Sequence, residues 1–167
     1  MQGQYRVWLK SDEEVSPVDV ASFIVGYYID RNHPVNRDTI MSMMYLLWIE
    51  YYRDQRQYLI SKNFSAWSTG PVSLEAFHRI DYSQYSSGEN VRPQFNIAGL
   101  NGKVMKNILD KYIVYPIERI NVGLMSDFGA WKKARDAANS FYVIPFEDMI
   151  ALDCENFDKM TSLMLSA

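Results

Sequence analysis

The chain has 167 residues, 48% of them hydrophobic and 22% charged, with a net charge of −3 at pH 7. This is the composition of a soluble globular protein, one domain over 1–167 that is long enough to bury a sizeable core. The acidic balance argues against a protein whose main task is to hold nucleic-acid backbone, and the single Cys154 excludes an internal disulfide or a multi-cysteine zinc site and fits a reducing cytoplasm.

In chain order, Gln4–Lys10 alternates Tyr5, Val7 and Leu9 against Gln4, Arg6 and Trp8, the pattern of a strand. The opening residues are too mixed for a secretion signal. Ser11 to Val15 is a short acidic link, whose Asp12, Glu13 and Glu14 read as solvated charge. Ser16-Pro17 with Asp19 then starts a helix: a capping hydroxyl, a proline where its missing N–H costs nothing, and an acid at the positive end of the dipole. Val20, Phe23, Ile24, Tyr27 and Tyr28 carry its apolar face, and Asn32-His33-Pro34 ends it.

Asn36 caps a second helix on which Ile40, Met43, Met44, Leu47, Trp48 and Tyr51 line one face. Tyr45, Leu46, Ile49 and Tyr52 widen that stripe almost all round, so the helix is central to the core or partly covered by a partner. Its apolar run, Ile40 to Ile49, is too short to span a membrane. Arg53-Asp-Gln-Arg56-Gln57 returns the chain to water.

Phe64-Ser-Ala-Trp67 follows as a half-buried extended segment, and Gly70-Pro71 breaks it. Pro71 fits the first position of a helix that carries Val72, Leu74, Ala76, Phe77 and Ile80, giving a strand-turn-helix element. The stretch Asp81 to Pro93 is rich in turn formers. Its Tyr82 and Tyr85, set among serines and glycine, have the composition of an adaptable protein-binding loop. Asn101 or Gly102 starts a helix with Val104, Ile108, Leu109, Tyr112 and Ile113 inward, which Pro116 closes. A further helix, capped by Ser126 and helped by Asp127, carries Phe128, Trp131, Ala134 and Arg135. Ile144-Pro145-Phe146-Glu147 starts a last turn or helix with Met149 and Ile150 inward. Phe157, Met160, Leu163, Met164 and Leu165 then form an amphipathic tail that docks on the body or reaches a second copy. The fold class expected is mainly α: a compact helical domain with a short strand or small sheet beside the Gly-Pro turn.

The order of these elements, together with four matches, resembles the Panacea domain of bacterial and phage proteins. The matches are Ser16-Pro-Val-Asp-Val-Ala-Ser-Phe-Ile24, Ile40-Met-Ser-Met-Met-Tyr-Leu-Leu-Trp-Ile49, Phe64-Ser-Ala-Trp-Ser-Thr-Gly-Pro-Val72, and Leu124-Met-Ser126 with Trp131-Lys-Lys-Ala134. The resemblance covers roughly residues 16–150. The most characteristic part is an aromatic, Ala66-Trp67, two residues, then Gly70-Pro71-Val72. Met43 and Met44 depart from the Lys and Leu usual there, and Asp127-Phe128-Gly129 from a common Thr-His. The resemblance implies a non-enzymatic, antitoxin-like module that neutralises a toxin or effector protein by direct binding. A phage-encoded inhibitor or adaptor acting on a host defence or proteolysis protein is the alternative. It also implies that Trp67, Gly70, Pro71 and Trp131 are mainly structural.

No catalytic set, metal site or cofactor site emerges from the remaining residues. His33 and His78 have no second ligand at metal-like spacing. Cys154 lies between Asp153 and Glu155, which raises a thiol pKa. Gly99-Leu-Asn-Gly102-Lys103 lacks the Ser or Thr of a phosphate loop and reads as helix entry. The nine methionines read as core filler. A small enzyme would need a site this sequence does not display. The expected partner is a protein, contacted by Tyr82, Tyr85, Arg53 and Arg56, with nucleic acid disfavoured, no membrane, and a homodimer left open.

Overall fold

The computed structural model describes residues 15–85 and 91–166. The strand expected over Gln4–Lys10 and the acidic link at Asp12 to Glu14 lie outside the described residues. The fold is mainly α, with a small antiparallel sheet. Among the described residues no helix is long and apolar enough to cross a membrane.

Helix α1 (Pro17–Asp30) starts where the capping logic puts it, with Ser16 Oγ accepting from Asp19 N–H at 3.1 Å. Helix α2 (Arg37–Gln55) is capped by Asn36, whose Oδ1 accepts from the amides of Asp38 and Thr39. Every residue of α2 from Ile40 to Tyr51 is buried, so α2 is the axis of the core and the other elements wrap it. Glu50 is drawn in as well. One of its carboxylate oxygens is ion-paired with Lys111, and Oε2 is buried without a hydrogen-bond partner.

Strands β1 (Phe64–Trp67) and β2 (Gly70–Val72) form a hairpin that pairs Ser65 with Val72 and Trp67 with Gly70. Strand β3 (Val143–Ile144) adds antiparallel to the other side of β1, so the order is β2-β1-β3. The expected strand-turn-helix is thereby corrected. Ser68-Thr69 is the turn, and Pro71 sits in an edge strand, where a missing N–H is tolerated as well as at a helix start. Helix α3 (Leu74–Arg79) begins three residues after Pro71, capped by Ser73. Gly70 has φ of 137°, and a Cβ there would lie 3.3 Å from Ser42 Oγ on α2. The position therefore needs glycine both for its backbone angle and for the approach of the hairpin to α2.

Helix α4 (Gly102–Tyr112) is capped by Asn101, as the helix-entry reading of the glycine stretch expects. Pro116 does not simply close α4. It also precedes α5 (Ile117–Leu124), a helix the sequence reading passes over. Helix α6 (Ala130–Ala137) starts later than expected, and Ser126 is not its cap: Ser126 Oγ is buried without a partner. The cap comes instead from Asp153, far along the chain, whose Oδ1 accepts from Ala130 N–H at 3.0 Å. Asp153 lies in a π-helical turn (Met149–Cys154) that continues the short helix α7 (Phe146–Asp148). The tail is helix α8 (Phe157–Ser166), which docks on α5, burying Phe157, Met160 and Met164.

Candidate protein-binding surface

The last turns of α2 leave the core at Tyr52 and carry Arg53 and Arg56 into solvent. Arg56 ends the helix in a left-handed conformation, φ 54°, which turns the chain so that Tyr58 folds back over α2. Four rings meet there. The Trp48 indole is fully buried, and its Nε1–H donates to the Ile60 carbonyl at 3.1 Å. It stacks on Tyr52 (centroids 5.6 Å, 8°) and on Phe146 of α7 (5.0 Å, 6°). Tyr58 leans on all three rings at 5.1, 5.8 and 4.9 Å, and remains 41% exposed. Burial raises its phenol pKa above the ordinary value, with smaller contributions from Tyr52 and Glu147. It therefore presents a neutral O–H donor on a rigid apolar base.

Of the two arginines, Arg56 lies beside this cluster and Arg53 reaches α8. The Arg56 guanidinium lies 5.6 Å from the Tyr52 ring, and that of Arg53 lies 4.2 Å over Phe157 of α8. Further along the chain, Phe141 is 71% exposed with φ of 60°, unusual for a bulky residue, and Val143 of β3 is also exposed. Stacked aromatics with exposed edges and adjacent guanidinium groups have the composition that dominates binding energy at protein interfaces. Arg53 and Arg56 are among the contacts expected from the sequence, whereas Tyr58 and Phe146 are not.

The tyrosine loop differs from its expectation. Tyr82 is buried, its O–H donating to the Ala76 carbonyl at 2.8 Å, and desolvation raises its pKa. It anchors a 3-10 turn (Tyr82–Tyr85) onto α3 and is not a free contact residue. Tyr85 is half-buried against the core. Replacing Tyr82 by Ala consequently removes a packed ring and does not leave the domain untouched.

The residues of the Gly-Pro motif join hairpin to helix. Trp67 packs edge-on to Phe77 of α3 at 4.8 Å, and its carbonyl accepts from Trp131 Nε1–H at 2.9 Å. Arg135, one turn further along α6, donates to the Ala66 carbonyl at 3.1 Å. In this way α6 satisfies two carbonyls of β1 with its own side chains.

The titratable groups in the interior do structural work. Asp153 is 2% exposed and accepts from the Tyr45 hydroxyl and from Ala130 N–H. Desolvation pushes its pKa up to about 6, against the lowering effect of those hydrogen bonds. With Tyr45 fully buried, neither group can reach a substrate. Burial first, and Asp153 second, push the Cys154 thiol up to about 11; the acidic neighbours stressed by the sequence are the lesser cause. His33 and His78 are exposed, against the rings of Tyr28 and Trp67 respectively. Among the described residues no group of three or more His, Cys, Asp or Glu could hold a metal ion. Compared with protein-family models, with curated proteins and with solved structures, the chain matches none.

Proposed function

We propose that this chain is a Panacea-like, non-enzymatic protein-binding module. It neutralises a toxin or other effector protein in the cytoplasm by covering that protein's working surface. The observation that carries the reading is Tyr58, 41% exposed on the Trp48, Tyr52 and Phe146 rings, with the Arg56 guanidinium beside the Tyr52 ring. A rigid aromatic anchor loses little side-chain entropy on binding, and its burial with an adjacent arginine supplies affinity and orientation. Asp153 and Tyr45, which in an open cleft would invite a catalytic reading, are enclosed in the core.

The test is recovery of the tagged protein from its native host, followed by expression of any co-eluting protein alone and together with this chain. The antitoxin reading expects one partner that is toxic alone and harmless with the wild-type chain. Tyr58→Ala and Arg56→Ala chains, still folded, are expected to lose both partner and protection. A host defence or proteolysis component in place of a toxin supports the inhibitor or adaptor reading with the same surface. Recovery of no partner by the wild-type chain contradicts both.

A further inference from the structure

On another part of the molecule, α1, the segment after residue 91 and α4 enclose a cleft of about 360 Å³. One stripe of α1 forms a wall, with Phe23, Gly26, Tyr27 and Asp30 spaced for a single helix face. Opposite it, Pro93 and Phe95 lie against the bare backbone of Gly26, where a Cβ would stand 3.7 Å from the Phe95 ring and 3.9 Å from Pro93. Phe95 meets Phe23 edge to face at 5.3 Å and is still 43% exposed. The segment is pinned by Asn96 N–H, which donates to Asp19 Oδ1 at 3.1 Å.

The rim is cationic. Arg31, Arg92 and Lys106 all line the cleft. Arg92 pairs with Asp30, whereas Arg31 and Lys106 share one carboxylate, Asp110, at 3.3 and 3.4 Å. Asp110 also accepts the Tyr27 hydroxyl at 2.5 Å, and that bond is the main cause holding its carboxyl below the ordinary range. Three cations therefore meet two carboxylates, in a protein whose overall charge is negative. Arg31 is held in place by its contact 3.6 Å over the Tyr27 ring and by donation to the Tyr27 carbonyl at 3.3 Å. A guanidinium has five N–H donors and an ammonium three, so these pairings leave donors over for an incoming anion.

We propose that this cleft binds a small organic anion with a flat aromatic body, no larger than a mononucleotide. The ring lies against Phe23, Pro93 and Phe95, and the anionic group meets Arg92, Arg31 and Lys106. The volume is at the small end of ligand pockets, and an apolar wall with a few converging polar groups is their usual make-up. Guanidinium groups suit phosphate and carboxylate alike. The site is independent of the aromatic surface on α2.

The test is calorimetric titration of the full chain with 5′-AMP and with indole-3-acetate, one aromatic phosphate and one aromatic carboxylate, with adenosine and inorganic phosphate as the separate halves. Saturable binding of at least one aromatic anion is expected, tighter than either half by about tenfold or more. Arg92→Ala and Phe95→Ala are each expected to weaken it by about tenfold, with the far-UV circular dichroism unchanged. Which anion binds tighter identifies the acid group. Failure of both aromatic anions to saturate overturns the proposal, as does binding that neither substitution alters.

Discussion

The packing of α8 on α5 makes a sharp stability test. A Cβ at Gly123 would stand 2.7 Å from the Met160 carbonyl oxygen, 2.7 Å from Met164 Cγ and 2.8 Å from Met164 Cε. The methionine side chain can swing aside, but the carbonyl belongs to the backbone of α8 and moves only if that helix moves. Forcing an extra methyl into such a contact costs about 2–3 kcal/mol, and the better helix propensity of alanine returns about 1 kcal/mol. Gly123→Ala is therefore expected to destabilise the fold by about 1–2 kcal/mol, which for a chain of this size lowers Tm by about 3–6 °C. Gly26→Ala is the internal control. It lies inside α1, whereas Gly123 is the penultimate residue of α5, and its nearest neighbours at 3.7 and 3.9 Å are in ordinary contact. It is expected to gain about 0.5–1 kcal/mol and raise Tm by about 2–3 °C. Thermal and urea unfolding followed at 222 nm measures both. A Gly123→Ala protein as stable as wild type would refute the close approach of the two helices. It would also reopen the alternative that the tail reaches a second copy.

Two further outcomes follow from the buried polar contacts. Asp153 has its pKa raised by burial from 3.8 to about 6, so the folded state binds a proton that the unfolded chain has already lost. The stability that proton carries is complete below about pH 4 and lost as pH rises through about 6, amounting to about 3 kcal/mol. Urea unfolding of wild type and Asp153→Asn from pH 4 to 7 is expected to show wild type losing ground to the variant across that window; a constant difference would contradict the enclosed carboxyl. Tyr82→Phe is expected to cost about 1–2 kcal/mol by leaving the Ala76 carbonyl short of its donor, and Tyr82→Ala about 3–5 kcal/mol. Equal stabilities for the two variants would contradict the buried position of the ring.

What the sequence made legible was local. Ser16-Pro17 and Asn36 announce α1 and α2 because a cap and the amides it serves lie within three residues of each other. The unbroken apolar surface of α2 likewise marks it as central, and it is buried throughout its middle. The misreadings have non-local or ambiguous causes. Pro71 tolerates its lost N–H equally at a helix start and in an edge strand, and only the pairing of Ala66 with Pro71 decides. Pro116 ends one helix and introduces another, so α5 carries no distinctive start signal. Ser126 looks like a cap, but the cap of α6 arrives from Asp153, 23 residues beyond Ala130. Tyr82 has the neighbours of an exposed loop, yet its hydroxyl finds the Ala76 carbonyl six residues back and the ring follows it inward. The candidate surface was legible in half. Arg53 and Arg56 sit in an evident polar stretch, whereas Tyr58 and Phe146 gain meaning only when the fold brings them together on Trp48.

The proposed binding of another protein runs through the ring cluster at the end of α2. The most direct measurement compares the affinity of the wild-type chain for its co-eluting partner with that of Tyr58→Ala, taking Tyr85→Ala as the comparison on the other loop. Truncating an aromatic anchor at the centre of an interface costs about 2 kcal/mol or more, so the affinity of Tyr58→Ala should fall by about thirtyfold with the fold intact. A Tyr58→Ala chain that binds its partner as tightly as wild type would contradict the claim.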